Sequence, residues 1–492
     1  MSDVQPTYGN WQRPVRPGIG PLGLAGTAGL LVGMVISLLM AMLSLTAGVI
    51  TAAVFTVVIG PLALRTRDGR SGFTMLAGLL GWARRRSTGA TTYVSGPLSP
   101  RPGDFPPPGL LARRELREGH DAFGRPFGVV HQPGLNTWTV VFACDPDGGT
   151  LVDPDQVNTW VAHWGGWLAG LAHEQGLQGA SVIVETTPDP GTRLAAEVLP
   201  RLDPHAPAAA RAVMEEVVAT YASASSETTT YVTLTYGPAG SRRSDEDTLA
   251  DLAIRIPGLA GGLIAAGAGS AVPMSAERIA ETVRVAFDPS IAATVLQARA
   301  EGTPTGQTWD NAGPADAEEL RDYYVHDSGV SRSWVAVDAP RGAVRSGVLR
   351  NLLEPSSRIR RKRVALLYRP ESPGAAARLV ERERRNAYFM TSSTRGPIRA
   401  RAAGAVRAAE QTATEEAEGA GLVEFAVVVT ATVDQLSDLD AASAEVTNLA
   451  ATARLQLRRA YRQQANAFAT ALPVGLLPWQ HTVVPHELRR LL

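Results

Sequence analysis

Residues 17–64 contain no Asp, Glu, Lys, Arg or His, whereas charged positions recur throughout the rest of the chain. A helix needs about 20 apolar residues to cross roughly 30 Å of hydrocarbon, so this run predicts two spans, 22–43 and 47–64, joined by a tight turn. Helix is expected because lipid offers the backbone no hydrogen-bond partners. Gly23, Gly26, Gly29 and Gly33 then serve as small-residue packing positions. Arg13 and Arg16 precede the run, while Arg65, Arg67, Arg70, Arg84, Arg85 and Arg86 follow it. Positive charge collects on the inner side of a membrane, so both termini are expected in the cytoplasm. A cleaved secretory signal is the competing reading, but its apolar core is only about 7–15 residues long.

Beyond the run the apolar period changes from segment to segment. Phe73, Leu76, Leu79, Leu80 and Trp82 recur at helical spacing and lead into Arg84, Arg85 and Arg86, the pattern of a helix lying on the inner leaflet. Pro and Gly crowd 96–109 and predict a stiff linker. Short β-branched and aromatic runs at 127–131 and 138–144, separated by Pro133-Gly134, predict a hairpin. A helix follows, with Asp153 as its cap, Pro154 in its first turn and Gln156 completing a capping box. Its apolar face includes Trp160, Trp164 and Trp167, which read as core rather than as a ligand platform.

Strands at 181–186 and 229–236 bracket a helix at 208–220; apolar helices fill 245–268, and Ser275 caps another that runs to 287. After a polar loop at 302–313 the rhythm recurs: strand 331–337, helix 348–353, strand 364–368, then Arg- and Ala-rich helix to 417. Strand 422–433, helix 436–455 and strand 455–461 close the series. Tyr231-Val-Thr-Leu-Thr-Tyr-Gly-Pro238 is similar to Arg363-Val-Ala-Leu-Leu-Tyr-Arg-Pro370, and Pro207-Ala-Ala-Ala-Arg211 to Pro373-Gly-Ala-Ala-Ala-Arg378, so an internal duplication is expected.

The fold expected from these patterns is α+β: an N-terminal two-helix transmembrane hairpin followed by a cytoplasmic region of strand-helix subdomains. Its parts are an arm and hairpin over 1–66, an interfacial helix and Pro-rich linker over 67–109, α+β subdomains over 110–305 and 306–475, and a tail over 476–492.

Charge and composition narrow the chemistry. The formal net charge is +0, so no global basic field points to nucleic acid. Cys144 is the only cysteine, which excludes an intramolecular disulfide and a thiolate zinc site and fits a reducing compartment. Lys362 is the only lysine, so no Gly-Lys-Ser/Thr P-loop exists and the chain is no Walker-type ATPase by itself. Gly18, Gly20 and Gly23 match the spacing of a dinucleotide loop, yet no strand precedes them.

Asp145 and Asp147 follow a strand, where a glycosyltransferase would hold a divalent ion on a sugar-nucleotide diphosphate, and Asp153 and Asp155 form a second such pair. Asp-Pro-Asp-Gly-Gly is equally ordinary turn chemistry. An EF-hand loop from Asp145 would put Gln156 where a bidentate Glu belongs, and His173-Glu174 lacks the second histidine of a zinc protease motif. No catalytic residue, cofactor or metal site is assigned. The basic run Arg358, Arg360, Arg361, Lys362 and Arg363 enters a strand without interleaved aromatics, so it reads as a solvated face or protein contact, and direct nucleic-acid binding is not expected.

Near the C-terminal end, Gln464, Phe468, Leu472-Pro473 and Gly475 follow a strand-helix unit. This arrangement resembles the segment leading into the motor domain of the large ATPases of conjugative type IV secretion. The apolar front end resembles the small PrgI-like membrane subunit that neighbours such ATPases. Tyr8-Gly9-Asn10-Trp11, Cys144-Asp145-Pro146-Asp147-Gly148, Trp160 to Gly165, His326 to Ser331, and Lys362-Arg363-Val364 with Tyr368-Arg369-Pro370 together resemble a family of actinobacterial two-helix membrane proteins. That family is encoded beside conjugation-like or secretion-like ATPases.

The resemblance implies a non-enzymatic structural component of the inner (plasma) membrane, polytopic with two helices, that anchors a separately encoded P-loop ATPase. Its implied partners are the lipid bilayer, that ATPase, other membrane secretion subunits and further copies of itself in a homo-oligomer. A type VII secretion membrane subunit is a close structural rival. From another class, the alternative is a membrane-tethered glycosyltransferase using Asp145 and Asp147.

Overall fold

The computed structural model describes residues 7–9, 24–63, 72–97, 99, 104–146, 148, 151–189, 191–224, 226–238, 244–340, 342–392 and 400–481. They fall into two compact units, one combining Met1–Asn10 with Thr92–Leu476 and the other Trp11–Thr91 with Leu477–Leu492. Trp11, Arg13, Arg16, Gly18, Gly20, Gly23, Arg65, Arg67, Arg70 and Asp147 lie outside the described residues.

Helices make up the described part of the smaller unit. Leu24–Leu43 and Leu45–Ala63 break only at Ser44 and then double back on one another. A Cβ on Gly33 would stand 2.6 Å from the Phe55 ring, so this glycine is the packing position its context predicts. The hydroxyls of Ser37, Thr51 and Thr56 donate to the carbonyls of Gly33, Ala47 and Ala52, four residues back, and so need no outside partner. A third helix spans Gly72–Ser87.

The expected transmembrane hairpin is not supported. Within these helices of 20 and 19 residues the described apolar stretches are Thr27–Leu43 and Leu45–Val57, and neither by itself reaches the about 20 residues of a full crossing. Among the described residues one helix is long and apolar enough to span a membrane, Asp245–Ala268, and it belongs to the larger unit. There Leu252, Ile256, Leu259 and Leu263 are buried in the core that the sheet forms, so an amphipathic core helix meets the same criterion of length and composition.

The larger unit is organised by one antiparallel sheet of 13 strands. In chain order these are β1 (Thr92–Val94), β2 (Glu115–His120), β3 (Pro126–Gln132), β4 (Thr137–Asp145), β5 (Leu177–Pro188), β6 (Ser226–Tyr236), β7 (Ser270–Pro273), β8 (Asp316–Glu319), β9 (Tyr324–His326), β10 (Gly329–Asp338), β11 (Arg361–Pro370), β12 (Val423–Val433) and β13 (Gln456–Arg459). They lie in the order β1-β8-β9-β10-β12-β11-β5-β6-β4-β3-β2, with β7 beside β4 and β13 beside β10. The expected strand-helix subdomains are therefore corrected to one mixed α/β fold. Strands β5 and β11 pair from Ala180/Tyr368 to Thr186/Lys362 and zip the two halves of the chain into one sheet.

Its topology occurs twice. A hairpin, β2–β3, leads to β4, the helix Pro154–Gly170, β5, the helices Thr192–Val198 and Ala208–Ala224, β6, the helix Asp245–Leu263, β7 and the helix Ala276–Phe287. The second copy runs β8–β9, β10, Arg350–Leu353, β11, the helices Pro373–Ser392 and Ala400–Ala417, β12, Leu439–Thr452, β13 and Gln464–Thr470. The orders β5-β6-β4-β7 and β11-β12-β10-β13 are each that of a split βαβ unit with a helical pair inserted between its second and third strands. The look-alike strands are not the equivalent ones: β6 corresponds to β12, and β5 to β11. The similar helix starts at Pro207 and Pro373 do fall in corresponding inserts.

Alternation gives the sheet two different faces. Val140, Phe142 and Leu234 in the first copy, and Val364, Val427 and Val429 in the second, face the helices in two apolar cores. The opposite face is polar yet buried, and its hydroxyls pair across strands: Thr139 with Thr235 at 3.0 Å, Ser181 with Thr233 at 2.6 Å, Ser331 with Thr432 and Ser333 with Thr430 at 2.8 Å. Local signals hold where the chain enters its helices. Asp153 accepts from Asp155 N at 3.2 Å, though without the capping box expected of Gln156, and Ser275 accepts from Arg278 N at 3.3 Å. The Pro-rich linker is tied down at its end, where Phe105 N donates to Asp310 O and Gly313 N to Phe105 O.

Candidate functional site

The densest buried chemistry lies at the seam between the two copies. Glu185 on β5 stands directly opposite Arg363 on β11. Its Oε1 accepts from Arg363 Nε at 2.9 Å and from Arg361 Nη1 at 3.1 Å. All three residues are buried. Burial alone would raise the carboxyl pKa, but Arg363 and then Arg361 outweigh it and hold Glu185 below the usual carboxylate range. The Arg363 guanidinium lies over Phe468, 5.1 Å from the ring centroid, and among the described residues its Nη1 and Nη2 have no hydrogen-bond partner.

This arrangement corrects the reading of the basic run as a solvated face. Arg361, Lys362 and Arg363 are inside; Arg358 and Arg360 are exposed, and Arg360 pairs with Asp434 at 2.7 Å. Lys362 points to the other side of the sheet and donates to Glu354 O at 2.6 Å, and burial pushes its amine down to about 8. Sequence reasoning missed Glu185. The available signal was parity: Arg361 and Arg363 occupy one face of a strand, and an isolated carboxylate occupies an inward position in another.

The residues that resemble the ATPase-linked segment have structural roles here. Gln464 Oε1 accepts from Ser333 N at 2.8 Å, and its Nε2 donates to Ser333 O at 3.3 Å. Phe468 and Leu472 are fully buried. Arg114 donates to Val474 O, and Thr235 Oγ1 to Gly475 O at 3.4 Å. The segment therefore crosses the polar face through hydrogen bonds as well as apolar contact.

His326 is buried beside it. Its Nδ1 is 2.6 Å from Phe287 O and its Nε2 2.8 Å from Ser331 Oγ. A carbonyl only accepts, so Nδ1 carries the proton and Nε2 accepts. Burial pushes the imidazole down to about 4, against the Phe287 carbonyl, with Arg363 and Arg361 adding to the lowering and Asp288 opposing it. The folded state thus favours the neutral ring, and this stability is fully present above the unfolded value near 6.5. Between there and about 4 the unfolded chain binds the extra proton, so stability should fall by roughly 3 kcal/mol as pH drops. Denaturant titrations from pH 7 to pH 4 should show that loss, and His326→Gln should flatten the dependence.

Other candidate residues stand apart from the seam. Asp145 is exposed at the end of β4, where its backbone pairs with Ser270. Asp153 is engaged as a helix cap and Asp155 is exposed. Among the described residues, no group of three or more His, Cys, Asp or Glu is placed to hold a metal ion. Burial pushes the Cys144 thiol up to about 12. Trp164 stacks on Trp167 at 5.0 Å and meets the Tyr368 edge at 5.8 Å, and both indoles pack on the first core as the helical pattern predicts. Glu174 pairs with Arg255 at 3.3 Å.

A family model described as a domain of unknown function (DUF8461) matches residues 15–74, a stretch that takes in the helices Leu24–Leu43 and Leu45–Ala63. No curated protein matches the chain.

Proposed function

We propose that this protein is a structural docking component of a secretion or conjugation-like apparatus at the plasma membrane, on which a separately encoded P-loop ATPase seats. The observation that carries the reading is the outer surface of the first two helices. Leu38 is 67 % exposed, Met42 80 %, Leu43 81 % and Leu45 77 %. A contiguous apolar surface of this kind marks an interaction site, and lipid is the cover proposed here. The inward-bonded hydroxyls of Ser37, Thr51 and Thr56 suit such surroundings, since they ask nothing of a solvent that cannot donate or accept.

The ATPase partner rests on the resemblance carried by Gln464, Phe468, Leu472-Pro473 and Gly475. Action in this reading is positional. Strands β5 and β11 are antiparallel, so the helical inserts that follow them leave the sheet at opposite ends and offer a partner two equivalent elements on a rigid frame. Tagged full-length protein drawn from its native membranes in mild detergent should bring down a P-loop ATPase with other membrane secretion subunits, identified by mass spectrometry. Recovery alone, in detergent that preserves other complexes and with the ATPase expressed, would overturn the proposal.

A further inference from the structure

We infer that the helix Gly72–Ser87 is a contact for anionic lipid, its apolar stripe entering the membrane interface while Arg84 and Arg86 engage headgroup phosphates; this rests on the membrane reading above. Met75, Leu76, Leu79 and Leu80 lie within one face of the helix and are 42–63 % exposed. No Asp or Glu occurs anywhere in Gly72–Ser87. Arg84 and Arg86 are exposed in the last turn, and Arg86 lies 5.3 Å from the centroid of the Trp82 ring, a side chain suited to the boundary between headgroups and acyl chains.

The helix end shows that the cations are not needed as caps. Thr88 Oγ1 donates to the carbonyls of Arg84 and Arg85 at 3.0 and 3.1 Å, Ser87 Oγ donates to Arg84 O at 2.9 Å, and Ala90 N to Arg85 O at 2.8 Å. Gly89, at φ +71°, makes that closing turn possible. With these carbonyls satisfied, Arg84 and Arg86 face outward as cations at the end of an exposed apolar stripe. Phosphates of an anionic leaflet complement that pattern, each arginine strengthening attachment about fivefold.

Single-cysteine labelling of the full chain tests this. Cys144 is buried and its thiol is pushed up to about 12, so a cysteine introduced by Leu80→Cys or Leu38→Cys takes the label. Each protein, carrying an environment-sensitive fluorophore, is reconstituted into vesicles of phosphatidylcholine alone or with added phosphatidylglycerol. The label at residue 80 should move to an apolar emission only when phosphatidylglycerol is present. High salt, or the added substitutions Arg84→Gln and Arg86→Gln, should reverse the move. An unchanged label at residue 80 in both vesicles, beside a lipid-buried label at residue 38, would overturn this inference and leave the docking reading standing. Equal burial of residue 80 with or without phosphatidylglycerol would also overturn it. If residue 38 stays in water in both vesicles, the membrane reading fails with it.

Discussion

Glu185→Gln should lower stability by about 3–5 kcal/mol, read as a lower denaturant midpoint at unchanged slope. The amide keeps the shape of the carboxylate but leaves Arg361 and Arg363 buried with no opposing charge at a seam where both now donate to one oxygen. Replacing all three, as Glu185→Leu with Arg361→Met and Arg363→Met, should recover most of the loss, because the cost lies in the uncompensated cations rather than in the absent pair. The same cluster predicts acid sensitivity. Glu185 has a folded pKa below its ordinary value, so its contribution is fully present above the unfolded value and is lost as pH falls through the folded one. A Gln variant as stable as the parent would show that the seam is not held in this way.

Gly475→Ala should cost about 2–5 kcal/mol, the sum of a left-handed backbone and a forced overlap. Gly475 has φ +63°, and a Cβ there would run into the side chains of Thr139 and Thr235, which already bond one another across the sheet. Gly302→Ala is the internal control. It has φ +66° but open space around the new methyl, so it should carry only the backbone part, about 1–2 kcal/mol. Thermal or denaturant unfolding of the two variants separates the terms. Equal losses would mean that the C-terminal segment yields to the methyl and is not pinned against the sheet.

Individual elements were legible wherever a segment's own period decides its conformation. The alternation of Trp138, Val140 and Phe142 specifies a strand, and Asp153-Pro154 and Ser275 announce helix starts because capping is local chemistry. Pairing was not legible. The register of β5 on β11 joins residues from opposite halves of the chain, and no local period encodes it, which is why separate subdomains were expected where one sheet forms. The seam inherits that difficulty: Arg361 and Arg363 look solvated until the register brings Glu185 opposite them. Composition also overreached over residues 17–64. A run without charge shows that helices shun water but does not count crossings, just as the core helix Asp245–Ala268 satisfies an apolar length criterion while packing against a sheet.

The seam also sets a timetable for synthesis. When the first copy, which ends at Phe287, leaves the ribosome, β5 is an outer strand, and its partner β11 begins only at Arg361. Translation adds roughly 5–20 residues per second, so that edge stands open for on the order of ten seconds. An open flat edge invites pairing with strangers, and an inward-pointing charge is one of the devices that discourage it. Glu185 is such a charge. A passing apolar strand that docked there would bury the carboxylate unpaired, whereas β11 arrives carrying the two guanidinium groups that neutralise it. The carboxylate that locks the finished sheet would thus also mark its open edge for the strand that carries the opposite charge.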